Sequence, residues 1–222
     1  MSWGVALPVS RVYNVGTASE PRPVTVSRVE LAFCHAEPLG TAVSCWEHVQ
    51  GSVARWVMAG YGHVEIAFTL VPRGTTASGA IQRSFYMGCR VVMGGNVQLF
   101  QRHYRNIYTM FPLELDAAKR DALFERCAED ARRCVPFNAR AFRYNFVLPR
   151  ALRIDCAGAA FFCSEHVVTV LRASGAVALP DDMLAYETTP QRLYDYLVSS
   201  NAFSRSVTGN LQVLQGAVAL DV

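Results

Sequence analysis

The sequence predicts an α+β domain, and three observations carry that prediction. Period-two segments rich in β-branched residues dominate the first half. Helical patterns with apolar residues at spacings of three and four dominate the second half. Of the 222 residues, 51% are hydrophobic and 18% charged, enough to bury one core and too apolar for a disordered chain. A single domain over 1–222 is expected, with an irregular arm over 1–23 and a C-terminal extension over 200–222.

Gly, Pro and Ser recur through residues 1–23, which reads as irregular chain. Val24 to Phe33 alternates and predicts a first strand. Val43, Trp46, Val49, Val53, Trp56 and Val57 share one helical face behind a Thr41 cap, which predicts a helix over 41–58. From His63 the period becomes two: Val64, Ile66, Phe68 and Leu70 line one face, and His63, Glu65, Ala67 and Thr69 the other. After a turn over 72–79, short strands are expected over 80–88, 89–93 and 97–104, completing an antiparallel meander. A helix over 116–134 has Asp116 as its cap and ends before Pro136. The stretch FNARAFRYNFVLPR reads as irregular; a helix then runs from Cys163 to a Gly175 C-cap, and another over 190–199 has Pro190 in its first turn. There is no internal repeat and no low-complexity tract.

Charge and cysteine usage narrow the function classes. The net charge is +3, and Lys119 is the sole lysine among 21 basic residues. The arginines are scattered among 18 acids without forming a basic stripe, so no nucleic-acid partner is expected. The seven cysteines, Cys34, Cys45, Cys89, Cys127, Cys134, Cys156 and Cys163, are odd in number and include no Cys-x-x-Cys pair. Neither a disulfide framework nor a metal site is expected, and a reducing, intracellular setting fits. No secretory leader and no membrane span are expected, because no apolar stretch has the required length.

The chemistry concentrates at FCSEHVVTVLRASG. Cys163, Val167, Val170, Leu171 and Ser174 share a face, so Cys163 looks inward from the first turn of its helix. There the positive end of the helix dipole favours thiolate, as a nucleophile needs, although a small buried core cysteine would show the same pattern. A nucleophilic thiol also needs a base. His63 suits that role, since small Ala67 on the same strand face leaves room for the Cys163 helix to pack over it. His35, His48 and His103 read as surface or satisfied histidines. His166, on the same helix as the thiol, reads as a packing or capping residue, and Glu165 as a solvated or first-turn dipole partner.

The segments Gly62-His63-Val64-Glu65-Ile66 and Phe162-Cys163-Ser164-Glu165-His166-Val167 resemble the circularly permuted papain-like hydrolases of the NlpC-type superfamily, in which the histidine strand precedes the cysteine helix. Arg143-Tyr144-Asn145-Phe146 and Thr189-Pro190-Gln191-Arg192-Leu193-Tyr194 look similar to viral members, and the likeness spans about 24–198. The resemblance implies a permuted papain-like fold, an antiparallel sheet packed against a helix bearing the nucleophile at its N-terminus. It implies a thiol protease, amidase or isopeptidase working through a thioester, with Cys163 and His63 catalytic and no cofactor. A third polar residue orients the imidazole in this family; Glu65 is the candidate on the strand itself, and Gln82 or Ser84 the cross-strand alternatives. The Cys163 backbone N–H would serve the oxyanion, and Tyr144 or Asn145 would supply further contacts unless YNF is an apolar strand. The implied substrates are peptide, isopeptide or acyl groups, and the implied setting is the host cytoplasm or a virion, among host proteins. Two other outcomes fit the same resemblance: a degraded papain-like scaffold serving a structural or host-interaction role, and a lipid acyltransferase.

Overall fold

The computed structural model describes residues 11, 13–15, 22–35, 60–73, 84–92, 94–102, 108–145, 152, 153, 155 and 158–200. The strands are β1 (Tyr13–Val15), β2 (Arg22–His35), β3 (Tyr61–Pro72), β4 (Phe85–Val91), β5 (Val97–Arg102) and β6 (Tyr108–Leu113). The helices are α1 (Ala117–Arg132), α2 (Ala139–Tyr144), α3 (Cys163–Ala173) and α4 (Pro190–Ser199). The predicted α+β class holds: every strand pairing is antiparallel, in the order β1-β2-β3-β4-β5, and β6 pairs with the same edge of β2 as β1, farther along it. Among the described residues no helix is long and apolar enough to cross a membrane.

The two long strands organise the sheet. β2 and β3 run in register from Val24↔Pro72 to Cys34↔His63, with irregularities at Val26/Arg28 and Cys34/His35. Their alternating Leu31, Phe33, Ile66, Phe68 and Leu70 side chains are fully buried and form the floor of the core. α1, α3 and α4 pack against the sheet. Cys89 of β4, directly opposite Ile66, approaches Cys127 of α1 and His166 of α3, and Phe68 meets the Phe124 ring of α1 edge-on at 5.1 Å. α3 buries Val167, Val168, Val170 and Leu171, and α4 buries Leu193 and Leu197.

Several sequence expectations are corrected here. The body of α3 packs on the Ile66 face rather than over Ala67, because that face offers more apolar area to bury. Of the strands expected over 80–88 and 89–93, the described part is one strand, Phe85–Val91, running through Gly88, which is held between Ala67 of β3 and Phe100 of β5. The arm contributes β1, a three-residue strand. β6 was not expected; its Pro112 is tolerated because among the described residues β6 is an edge strand paired to β2 alone. The supposedly irregular stretch after Pro136 forms α2, whose cap Asn138 accepts the Ala141 N–H at 2.9 Å. Asn145 thus follows a helix rather than lying in a strand, and exposed Tyr144 ends that helix. The boundaries of α1, α3 and α4 follow the predicted caps: Asp116 accepts the Lys119 N–H, and Gly175 has a positive φ of 61°. The helix expected over 41–58 lies outside the described residues.

β3 begins at a close backbone approach. Gly60 has φ 106°, and a Cβ there would strike the Gln191 amide oxygen of α4. That same oxygen accepts the Tyr61 N–H at 3.2 Å, tying α4 to the start of the histidine strand. Gly94 also has a positive φ, 74°, but open space around it. Gly60→Ala should therefore cost about 1–3 kcal/mol in urea denaturation and more than Gly94→Ala, which bears the backbone penalty alone. Equal costs would show that the Gln191 contact adds nothing.

Candidate active site

The site forms where two strands part. The β3–β4 ladder runs from Leu70↔Phe85 to Ile66↔Cys89 and stops there, leaving the first residues of β3 without β4 partners among the described residues. The first turn of α3 occupies this end of the ladder. Cys163, with 7% of its surface exposed, sets its sulfur against the His63 ring and the backbone N–H groups of Val64 and Ser164. A strand edge and a helix N-terminus thus converge on one sulfur, and the first-turn N–H groups of the helix have no intrahelical acceptor to compete for them.

His63 links that sulfur to a carboxylate. Its Nε2 lies 3.4 Å from Glu65 Oε2, with 27% of the imidazole side chain exposed and the glutamate fully buried. With Nε2 facing Glu65, Nδ1 is the nitrogen left for the thiol. Residues two apart on a strand stand side by side, and here the longer glutamate side chain reaches back across the gap. Ala32, opposite Glu65 on β2, leaves room for it. Of the alternatives, Ser84 immediately precedes Phe85, which pairs with Leu70, so the register carries it to the far end of β3. Gln82 lies outside the described residues.

The electrostatics favour charge separation within the pair. Burial opposes the Cys163 thiolate, but the hydrogen bond and charge of His63, with the Val64 and Ser164 amides, hold the thiol below its ordinary value of 9.0. Burial likewise works against the imidazolium, but hydrogen bonds to Cys163 and Glu65, and the charges of both, push His63 up to about 9. Thiolate and imidazolium therefore coexist from below 9.0 on the thiol side to about 9 on the imidazole side.

The rest of the first turn is fixed from below. Ser164 donates to the Thr188 carbonyl at 2.6 Å. Glu165 accepts the Phe162 N–H at 3.1 Å, the half of a capping box that remains when the cap residue is phenylalanine and has no side-chain acceptor. Sequence reading took Glu165 as solvated or as a dipole partner. It is the second, but buried at 2% exposure, and burial pushes its carboxyl up to about 7 against the pull of the Phe162 amide. His166 is a packing residue, buried against the Phe161 ring and bonded through Nε2 to Asp130 at 3.2 Å. Asn145 donates to the Tyr186 carbonyl at 2.9 Å. A separate groove lined by Tyr13, Leu99, Phe124 and Cys134 shares no residue with the site. None of the five described cysteines forms a disulfide with another of them.

Comparison with protein-family models, with curated proteins and with solved structures found no match.

Two measurements test these electrostatics. Iodoacetamide should alkylate Cys163 with an acid limb below 9.0, and His63→Ala should shift that limb upward, slowing alkylation at neutral pH by about tenfold or more. An unmoved limb would mean that His63 does not hold the thiolate. Glu165 supplies the second test. Its carboxyl is raised from 4.5 to about 7, so between those values the folded chain keeps a proton that the unfolded chain has lost, and stability falls as pH rises. Glu165→Gln removes that loss, and its stability relative to wild type should grow by about 3 kcal/mol between about pH 4 and 8. A pH-independent difference in urea midpoints would contradict the assignment.

Proposed function

We propose that the chain is a cysteine-dependent hydrolase with a permuted papain-like arrangement, in which Cys163 is the nucleophile, His63 the acid–base partner and Glu65 the positioning residue. The observation that carries this reading is the placement of the Cys163 sulfur against a histidine ring whose other nitrogen faces a buried carboxylate. A packing cysteine needs neither partner.

In the proposed reaction the thiolate attacks an acyl carbon, forming a C–S bond and placing the carbonyl electron pair on oxygen. The Cys163 backbone N–H is the donor that helix geometry offers that oxyanion. Collapse expels the amine or alkoxide, which takes its proton from the His63 imidazolium, leaving a thioester and a neutral imidazole. His63 then removes a proton from water as it attacks the thioester; breakdown of the second tetrahedral intermediate releases the acid and restores thiolate and imidazolium. Glu65 supports the imidazolium and fixes the ring so that the second nitrogen meets the sulfur. The alternative of a degraded, non-enzymatic scaffold gains nothing from the third position, where Glu65 lies 3.4 Å from the His63 ring.

Activity-based probes bearing peptide, ubiquitin-like and lipid acyl groups separate the substrate classes. Cys163→Ala should abolish labelling while leaving the far-UV spectrum intact, and His63→Ala should lower kcat by about 10²–10⁴-fold. The kcat/KM profile should be bell-shaped, rising as Cys163 ionises and falling near about 9 as His63 loses its proton. Glu65→Gln should move the alkaline limb downward, because the glutamate charge helps hold that proton. Undiminished labelling of Cys163→Ala would overturn the proposal.

A further inference from the structure

Beneath the catalytic pair lies a second cluster that hydrolysis does not use. Cys89 of β4, Cys127 of α1 and His166 of α3 are buried, and one donor atom from each lies within 4.8 Å of the others. The two sulfurs face each other within that distance. His166 is oriented by a carboxylate: Asp130 Oδ2 lies 3.2 Å from Nε2 and is itself gripped by the Arg126 Nε at 3.1 Å. With Nε2–H directed to Asp130, the lone pair resides on Nδ1, and that buried atom has no hydrogen-bond partner among the described residues. An acceptor left unsatisfied on a 1% exposed histidine, beside two thiols, is costly unless something binds it.

We propose that Cys89, Cys127 and His166 bind a zinc ion, with Asp130 as the outer carboxylate that orients the histidine. Two sulfurs and one imidazole are soft and borderline donors suited to zinc, and a carboxylate on the distal ring nitrogen is the usual support of a zinc-bound histidine. Zinc bond lengths place tetrahedral donors about 3.5–3.8 Å apart, so the cluster closes by about 1 Å at most. Binding displaces one proton from each thiol. Two thiolates then neutralise the ion, and the Asp130 charge is met by Arg126, so the buried assembly carries no net charge. A solvent molecule takes the fourth position. The three ligands come from three elements, and Cys89 is the last β4 residue paired to β3. The ion therefore clasps α1 and α3 to the sheet at the point where the catalytic pair assembles.

Cobalt titration of the full chain carrying Cys163→Ala tests this without interference from the nucleophile. The expected result is a thiolate-to-cobalt charge-transfer band and tetrahedral visible bands that saturate at one equivalent and are bleached by zinc. Asp130→Asn should retain the bands but weaken affinity by about 10–100-fold. Absence of the bands in folded Cys163→Ala protein would overturn the proposal. So would bands that persist at full strength in Cys127→Ser, which would place the ion on other thiols, or an Asp130→Asn affinity equal to that of its parent.

Discussion

The pairing of Cys163 with His63 is the contact on which the rest of the site depends, and neither residue secures it alone. A thiol at 7% exposure would ordinarily stay protonated, and a partly buried imidazole would ordinarily stay neutral. Each shift requires the other. The charged pair is self-consistent only at short range, with amide donors already in place on the sulfur and Glu65 on the far side of the ring. The end of the β3–β4 ladder at Ile66↔Cys89 has a functional consequence: it frees the Val64 N–H, which continued pairing would have tied up.

A charged pair in a poorly hydrated place requires a rigid surround, and the fold supplies it through long-range contacts. Gln191 of α4 fixes the beginning of β3 by accepting the Tyr61 N–H. Tyr194, one turn farther along α4, stacks near Tyr61, Phe33 and Phe111 with ring centroids 4.5–5.4 Å apart, joining three strands to one helix. These contacts place His63 two residues from an anchored backbone atom. Preorganisation of this kind lowers the cost of forming the ion pair, because little has to move when charge separates.

Much of this was legible in the sequence, for identifiable reasons. Strong periodicity gave β2, β3 and α1, and Asp116, Gly175 and Pro190 marked helix ends because capping chemistry is local. The pairing of Cys163 with His63 was inferable from a thiol at a helix start and a histidine on a mixed strand face. What sequence could not carry was partnership at a distance. The Glu65–His63 contact depends on side-chain reach, and the choice against Ser84 depends on β3–β4 register, which no local pattern encodes. The face on which α3 packs was misjudged because a small residue, Ala67, looked like an invitation, whereas apolar area decided the outcome. β6 and α2 were missed because six-residue elements carry too few repeats to display a period. The cap at Asn138 was the one available signal for α2.

The first turn of α3 shows how one short stretch can be both polar in sequence and buried in structure. Cys163, Ser164, Glu165 and His166 are consecutive, and all four are buried, which a helix lying on a core with a single apolar stripe does not permit. It becomes possible because each residue of the turn meets a partner: His63, Thr188 and Asp130 from distant parts of the chain for Cys163, Ser164 and His166, and the Phe162 backbone at the helix cap for Glu165. Two acidic groups compete for the amides of that terminus, the Cys163 thiol and the Glu165 carboxyl, and the structure divides them. Glu165 takes the Phe162 N–H, whereas the sulfur takes that of Ser164 and looks across to β3 for a second. Raising the Glu165 carboxyl to about 7 keeps a fraction of it neutral near that pH, which preserves the positive end of the helix for the thiolate. The polar run that looks like a solvated helix face is thus the means by which α3 is held in position, and its burial is the reason the cysteine at its head has a defined direction.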